Sequence, residues 1–165
     1  MKTVIVPIDF SPVTKDITRE AIRLARLIRG RLTLVHVVEP PSALRDLLPV
    51  GDKIAPEVLL EARKIATARL AQWRKKLLRS FTAVDVVSRT GEPVACILDE
   101  ARSRRASYIV LGSHGHSSVY DMLVGSVAKG VQTRASCPVV VIPALGSHAF
   151  KSTNPTIELA GAEQR

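Results

Sequence analysis

The stretch Tyr108-Ile-Val-Leu-Gly-Ser-His-Gly115, followed after nine residues by Gly125-Ser126, decides how this chain is read. An apolar run that empties into glycines ahead of a helix is how proteins present successive backbone N–H groups to phosphate. Side chains at those positions would obstruct the phosphate oxygens, and glycine has none. The stretch therefore predicts a strand, a tight turn and a helix, and it points to nucleoside phosphates as a ligand class.

Upstream, strand-like and helix-like segments alternate. Residues 3–8 form a β-branched run, read as the first strand. Ser11 and Pro12 then read as an N-cap and a proline at the first helical position. Ile17, Ala21, Leu24 and Ile28 recur at helical spacing, and Gly30 stops the helix. Residues 32–38 are the second strand. Residues 39–56, with Pro40, Pro41, Pro49, Gly51 and Pro56, read as a long surface loop of the kind that often serves as a lid. A helix follows over residues 56–79, with Leu59, Ala62, Ala66, Leu70, Trp73 and Leu77 as its apolar stripe.

Residues 82–88 are the third strand, followed by the turn Thr90-Gly91-Glu92-Pro93. The next helix, residues 93–105, turns Val94, Ile97, Leu98 and Ala101 inward. Residues 107–111 are the fourth strand. The helix after the glycines ends near Ala135, and residues 138–142 are the fifth strand.

Apolar strands alternating with helices imply an α/β fold: one five-stranded parallel sheet with helices on both faces. Right-handed crossovers favour the strand order 3-2-1-4-5. Strands one and four are then neighbours where the winding reverses, and ligands bind outside the carboxyl ends of the strands at such a point. Asp9 and Gly112 stand at those two ends, so topology and motif converge on one crevice.

A length of 165 residues favours one domain, expected over residues 1–144. The polar segment 145–165 is expected to be a mobile tail. The chain is 46% hydrophobic and 24% charged, ordinary for a soluble globular protein, and its 4% aromatic content calls for an aliphatic core. A net charge of +9 favours anionic partners. Arg19, Arg23 and Arg26 share one helical face, while Lys64, Arg69, Arg74, Lys75, Lys76 and Arg79 decorate another helix. No aromatic stacking platform accompanies them, so nucleic acid is not an expected partner.

Cys96 and Cys137 are too few for a disulfide framework and are expected to be buried, reduced thiols. The N-terminus does not read as a signal peptide, and no apolar run reaches the ~18 residues of a membrane span, so a cytoplasmic location without membrane contact is expected.

Catalytic and metal chemistry leave little trace. His114 and His116 flank Gly115 without a third ligand nearby in sequence, so no metal site is expected. His36 reads as a core histidine with a hydrogen-bond partner. There is no Gly-x4-Gly-Lys-Ser/Thr loop, no Gly-x-Ser-x-Gly elbow, and no lysine within the glycine pattern. No catalytic residue is assigned, and any ATP hydrolysis would be slow.

The spacing Gly112-x2-Gly115-x9-Gly125-Ser126 resembles the ATP-binding signature of the universal stress protein family. The likeness extends over about residues 3–143. It takes in Pro7-Ile-Asp-Phe-Ser11, Leu34-Val-His-Val-Val38, Gly91-Glu92-Pro93 and Cys137-Pro-Val-Val-Val-Ile-Pro143, in that order.

The resemblance implies an adenine-nucleotide α-hydrolase-like fold and a regulatory module of stress response that binds ATP, or ADP or AMP, with Mg²⁺ as a companion. On this chain it implies Asp9 at the ribose and Pro7 and Val37 at the adenine. Gly112, Gly115, Gly125 and Ser126 would sit at the phosphates, with the Val127 amide beside them. It further implies a homodimer through residues 139–142 and a regulatory protein partner. The length and proline content of residues 39–56 suggest, separately, that nucleotide would order the loop after Gly112 and this segment with it.

His116 stands where many members carry arginine, and Asp121 is acidic where basic residues are common. Both changes remove positive charge beside the phosphates. His116 would neutralise phosphate only when protonated, and Asp9 or Asp121 would act through Mg²⁺. Two alternatives stand beside the regulatory reading: a slow ATP hydrolase, and a nucleotide-free interaction module of the same fold.

Overall fold

In each inner strand of the computed structural model, successive side chains point to opposite faces and both faces are covered. The structure describes residues 1–40, 56–113 and 125–143. In chain order the elements are β1 (Thr3–Pro7), α1 (Thr14–Leu27), β2 (Arg31–Val38), α2 (Pro56–Leu77), β3 (Val84–Thr90), α3 (Pro93–Ser103), β4 (Tyr108–Gly112), α4 (Ser126–Arg134) and β5 (Val139–Ile142). All four strand pairs are parallel and the order is 3-2-1-4-5, as expected from the sequence.

Val4, Val6, Leu32, Leu34 and Val110 face one side and pack with Ile17, Ala21 and Ala25 of α1 and Leu70 of α2. Ile5, Val35, Ile109 and Leu111 face the other and pack with Val94, Ile97 and Ala101 of α3 and Ala128 and Val131 of α4. The core is aliphatic, as the scarcity of aromatics requires. The α2 stripe behaves as its spacing predicts: Ala66, Leu70 and Leu77 are buried, and Leu59, Ala62 and Trp73 are half-buried.

Several local expectations are corrected. Ser11 is not the N-cap of α1. Val13 holds that position and no side chain caps the helix. The Ser11 N–H donates to Asp9 Oδ1 at 3.0 Å, and its carbonyl accepts from the Thr14 N–H, so Ser11 and Pro12 belong to a turn ahead of the helix. Gly30 does not supply the left-handed residue that ends α1, because Arg29 does, with φ +52°. Glycine is needed at 30 for close approach: a Cβ there would lie 2.7 Å from the Lys2 carbonyl oxygen.

The third strand starts two residues later than expected and runs to Thr90, because its register against β2 pairs Leu32 with Val84 and Val38 with Thr90. Helix α2 stops at Leu77 rather than at 79. Cys96 and Cys137 are free but half-buried rather than buried.

Beside the outer strand β3, the buried Glu100 carboxylate accepts hydrogen bonds from Arg89 and Arg104. Arg104 also reaches Asp85 at 3.3 Å, and Arg74 Nε donates to the Val84 carbonyl at 3.0 Å. Among the described residues no helix is long and apolar enough to cross a membrane.

Candidate functional site

A cleft of about 470 Å³ opens at the carboxyl ends of β1, β2 and β4, a volume within the usual range for small-ligand sites. Pro7, Asp9, Val37, Gly112, Gly125, Ser126 and Val127 all line it. Seven of the nine residues selected from sequence are thus brought together, from three strand ends and one helix start. Gly115 and His116 lie outside the described residues, as do His114, Asp121, the 41–55 part of the proline-rich loop and residues 144–165. A larger groove of about 690 Å³ at α2 and β3 contains none of the candidates, and its Arg74 and Arg104 already serve the Val84 carbonyl and the carboxylates of Asp85 and Glu100.

The cleft combines apolar walls from Pro7, Val35, Val37, Ile97 and Leu111 with a few polar groups. At the β1 end, Asp9 Oδ1 accepts from the Ser11 N–H. A side-chain oxygen that bonds the amide two residues on closes an Asx-type turn. Phe10, between them, takes a left-handed backbone with φ +62°. Its ring lies 4.3 Å from the His36 ring, and the Arg69 guanidinium carbon sits 4.3 Å from its centroid.

His36 is half-buried, and its Nδ1 lies 2.8 Å from the Ile8 carbonyl oxygen. A carbonyl only accepts, so Nδ1 carries the proton and donates. Burial pushes the imidazole pKa down. The Ile8 bond and the Asp9 charge oppose that push, the Arg69 charge adds to it, and the net direction is down. The hydrogen-bond partner expected for His36 is present, but the ring is half-buried at the cleft wall rather than in the core.

At the other wall two helices begin. The Glu92 carboxylate accepts from the Val94 N–H at 2.9 Å and the Ala95 N–H at 2.7 Å, capping α3. Those amide bonds hold the Glu92 carboxyl below the usual carboxylate range. Helix α4 starts from Gly125 with no side-chain cap. The first helical hydrogen bond runs from the Lys129 N–H to the Gly125 carbonyl. The amides of Ser126, Val127 and Ala128 have no acceptor within the helix, and all three residues border the cleft.

The Gly125 amide, expected among the phosphate donors, is committed elsewhere: it donates to the Ser113 carbonyl at 2.6 Å, while the Ser113 N–H donates to the Ile142 carbonyl at 2.8 Å. Gly125 contributes the absence of a side chain, and the donors at this helix start are one to three residues further on. Among the described residues no group of three His, Cys, Asp or Glu is placed to hold a metal ion. Asp9 and Glu39 are the carboxylates among the described residues lining the cleft.

Phe10, Arg69 and Glu92 were not selected from sequence. Glu92 had a weak signal, standing just before a proline at a helix start. Arg69 had none, since only the packing of α2 carries it to Phe10.

The universal stress protein family model matches residues 1–143. Universal stress protein YxiE of Bacillus subtilis is 28% identical over 142 residues, covering 84% of this chain and 96% of the relative. The structure of universal stress protein UspA from Lactobacillus plantarum is similar with a TM-score of 0.69 at 26% identity, covering 86% of this chain and 97% of that one. A universal stress protein from Archaeoglobus fulgidus, solved in complex with dAMP, has the same fold, with a TM-score of 0.54 at 24% identity over 86% of this chain and 98% of that one.

Proposed function

Given that the chain belongs to the universal stress protein family, we propose that its cleft binds an adenine nucleotide, ATP ahead of ADP or AMP, and that the protein acts as a nucleotide-responsive regulatory module in stress response. The observation that carries this reading is the start of α4 at Gly125, which has no side-chain cap and places Ser126, Val127 and Ala128 on a cleft with apolar walls at the switch between β1 and β4. A helix start of this kind favours an anion by about 0.3–1 kcal/mol through the dipole alone, and direct N–H bonds to phosphate add to that. The dAMP complex of the Archaeoglobus relative supports the same ligand class.

In this reading the adenine lies against Pro7 and Val37, and Asp9 accepts from the ribose hydroxyls. The amides and hydroxyl of Ser126 and Val127 meet the phosphates where Gly112 and Gly125 leave room, and Gly115 and His116 complete the loop. Asp9 and Glu39 supply oxygen donors of the kind Mg²⁺ takes alongside phosphate. Among the described residues lining the cleft there is no lysine or arginine, so the site is suited to holding a nucleotide rather than turning it over.

The exposed edge of β5 is the proposed homodimer surface. Among the described residues β5 pairs only with β4, and Val140 is 36% exposed, whereas the β3 edge carries Arg74 on the Val84 carbonyl. Light scattering at tens of micromolar is expected to give twice the chain mass, and a monomer refutes the pairing.

The nucleotide test is direct. Freshly purified protein is heat-denatured, its small molecules are separated at 260 nm, and ATP is titrated by calorimetry. An adenine nucleotide in the first and heat of binding in the second are expected. Neither signal would leave the nucleotide-free interaction module, the reading favoured by the internal bonds of the Gly125 and Ser113 amides.

A further inference from the structure

The geometry points to a stack of Arg69, Phe10 and His36 as the device that orients Asp9, and through Asp9 makes the cleft select ribonucleotides over 2′-deoxyribonucleotides. This rests on the proposed nucleotide binding. Asp9 sits between two residues that His36 grips at once: Nδ1 holds the Ile8 carbonyl at 2.8 Å, and the imidazole lies 4.3 Å from the Phe10 ring. Phe10 has φ +62°, a backbone that bulky L-residues rarely adopt without surrounding structure to impose it. That backbone brings the Ser11 N–H back to Asp9 Oδ1 at 3.0 Å, which holds one oxygen of the carboxylate.

Arg69 closes the stack from α2, with its guanidinium over the Phe10 ring. Arg69 itself is exposed, so it contributes little to the core. The strain at Phe10 is therefore held by packing from β2 and α2, and the group it serves is the carboxylate at the mouth of the cleft. A carboxylate turned toward vicinal hydroxyls accepts from both, and removing the 2′-hydroxyl removes one of those bonds. Loss of the stack frees Phe10 to relax to negative φ, which opens the Ser11 bond and removes that hold on Asp9. Phe10, Arg69 and His36 are positioning residues, because they reach the ligand only through Asp9.

The experiment compares ATP with 2′-deoxyATP by calorimetry on the full chain, with Tm recorded for every variant. The wild type is expected to bind ATP about tenfold or more tightly than 2′-deoxyATP, the worth of one hydrogen bond to a charged acceptor. Phe10→Ala and Arg69→Ala are each expected to shrink that ratio to about threefold or less. Arg69→Lys, which keeps a cation over the ring, is expected to retain most of it.

Arg69 is exposed, so Arg69→Ala serves even where Phe10→Ala fails to fold. A wild-type ratio near one overturns the inference, as does an unchanged ratio in Arg69→Ala with ATP still bound. Both outcomes leave nucleotide binding intact. Failure of the wild type to bind either nucleotide removes the underlying reading, and this inference with it.

Discussion

Helices α3 and α4 pack on the same face of the sheet and both start near the cleft, yet they begin in opposite ways. The α3 start is closed by its own Glu92 carboxylate, with Pro93 behind it, and the far end of the helix is pinned by Glu100 to Arg89 and Arg104. The α4 start has Gly125, no side-chain cap, and Ser126, Val127 and Ala128 lining the cleft. A carboxylate bound to first-turn amides stabilises a helix by about 1 kcal/mol over alanine, though by only a few tenths over glycine, and it occupies the donors an incoming anion would use. A helix start left open where it meets a cleft forgoes that stabilisation and keeps its donors for a ligand. Under the proposed function, the contrast separates a helix that holds the fold from one that serves the site.

The sharpest way to break the contrast is to give α4 the device of α3. Gly125→Asp places a carboxylate at the cap, where the backbone is already extended (φ −65°, ψ 158°). It is expected to weaken ATP by about a hundredfold, through like-charge repulsion and competition for the amides, while folding stability changes by less than about 0.5 kcal/mol. Calorimetry and urea unfolding on the same sample read both, and undiminished affinity would show that the α4 start is not the phosphate site.

Removing the anchor of α3 is expected to do the reverse. Glu100→Ala leaves Arg89 and Arg104 without their buried acceptor and is expected to cost about 2–3 kcal/mol in urea unfolding, less than a fully buried pair because both arginines reach solvent. Nucleotide affinity is expected to hold. Glu92→Ala is expected to cost about 1 kcal/mol, again with affinity retained. A loss of affinity in either variant would merge the two roles.

The smallest effect is in pH. Amide bonds from Ala95 and Val94 hold the Glu92 carboxyl below the ordinary range. For Glu100, burial alone would raise the pKa, but the Arg104 and Arg89 hydrogen bonds outweigh it and the net direction is down. A carboxyl depressed in the fold binds fewer protons folded than unfolded, so its stabilisation is complete above the unfolded value of about 4.3 and is lost as pH falls through the folded value. The stability gap between wild type and Glu92→Ala, measured in urea across pH, is expected to stay level from neutral to about pH 5 and to close below about pH 4. A gap that persists at lower pH would mean that Glu92 acts by packing rather than as an ionised cap.

Strands were legible where they are buried on both faces: runs such as 32–38 and 108–111 admit little else at that length. The ends were less so. The β3 bounds follow from register against β2, which no local pattern states. Ser11-Pro12 fits a helix cap and a turn equally well, and the left-handed Phe10 just before it decides for the turn. Gly30 looked like a stop signal and is a close-approach position. At the site, Asp9, Gly112 and the Gly125-Ser126 pair were legible because turn chemistry and glycine spacing are local. Glu92 was overlooked because glutamate is not among the common N-caps.

The sequence by itself determined the α/β class, the strand order and the crevice between β1 and β4, and it pointed to an anionic ligand class, since hydrophobic period, crossover handedness and glycine spacing act over short distances along the chain. Tertiary structure alone decided which backbone groups are already paired at that crevice and which neighbours pack around Asp9. The Gly125 amide is taken by Ser113, and Phe10 is held by residues from β2 and α2. The physical reason is that donors and rings are claimed by whichever partner folding brings near, and those partners lie far away in the chain.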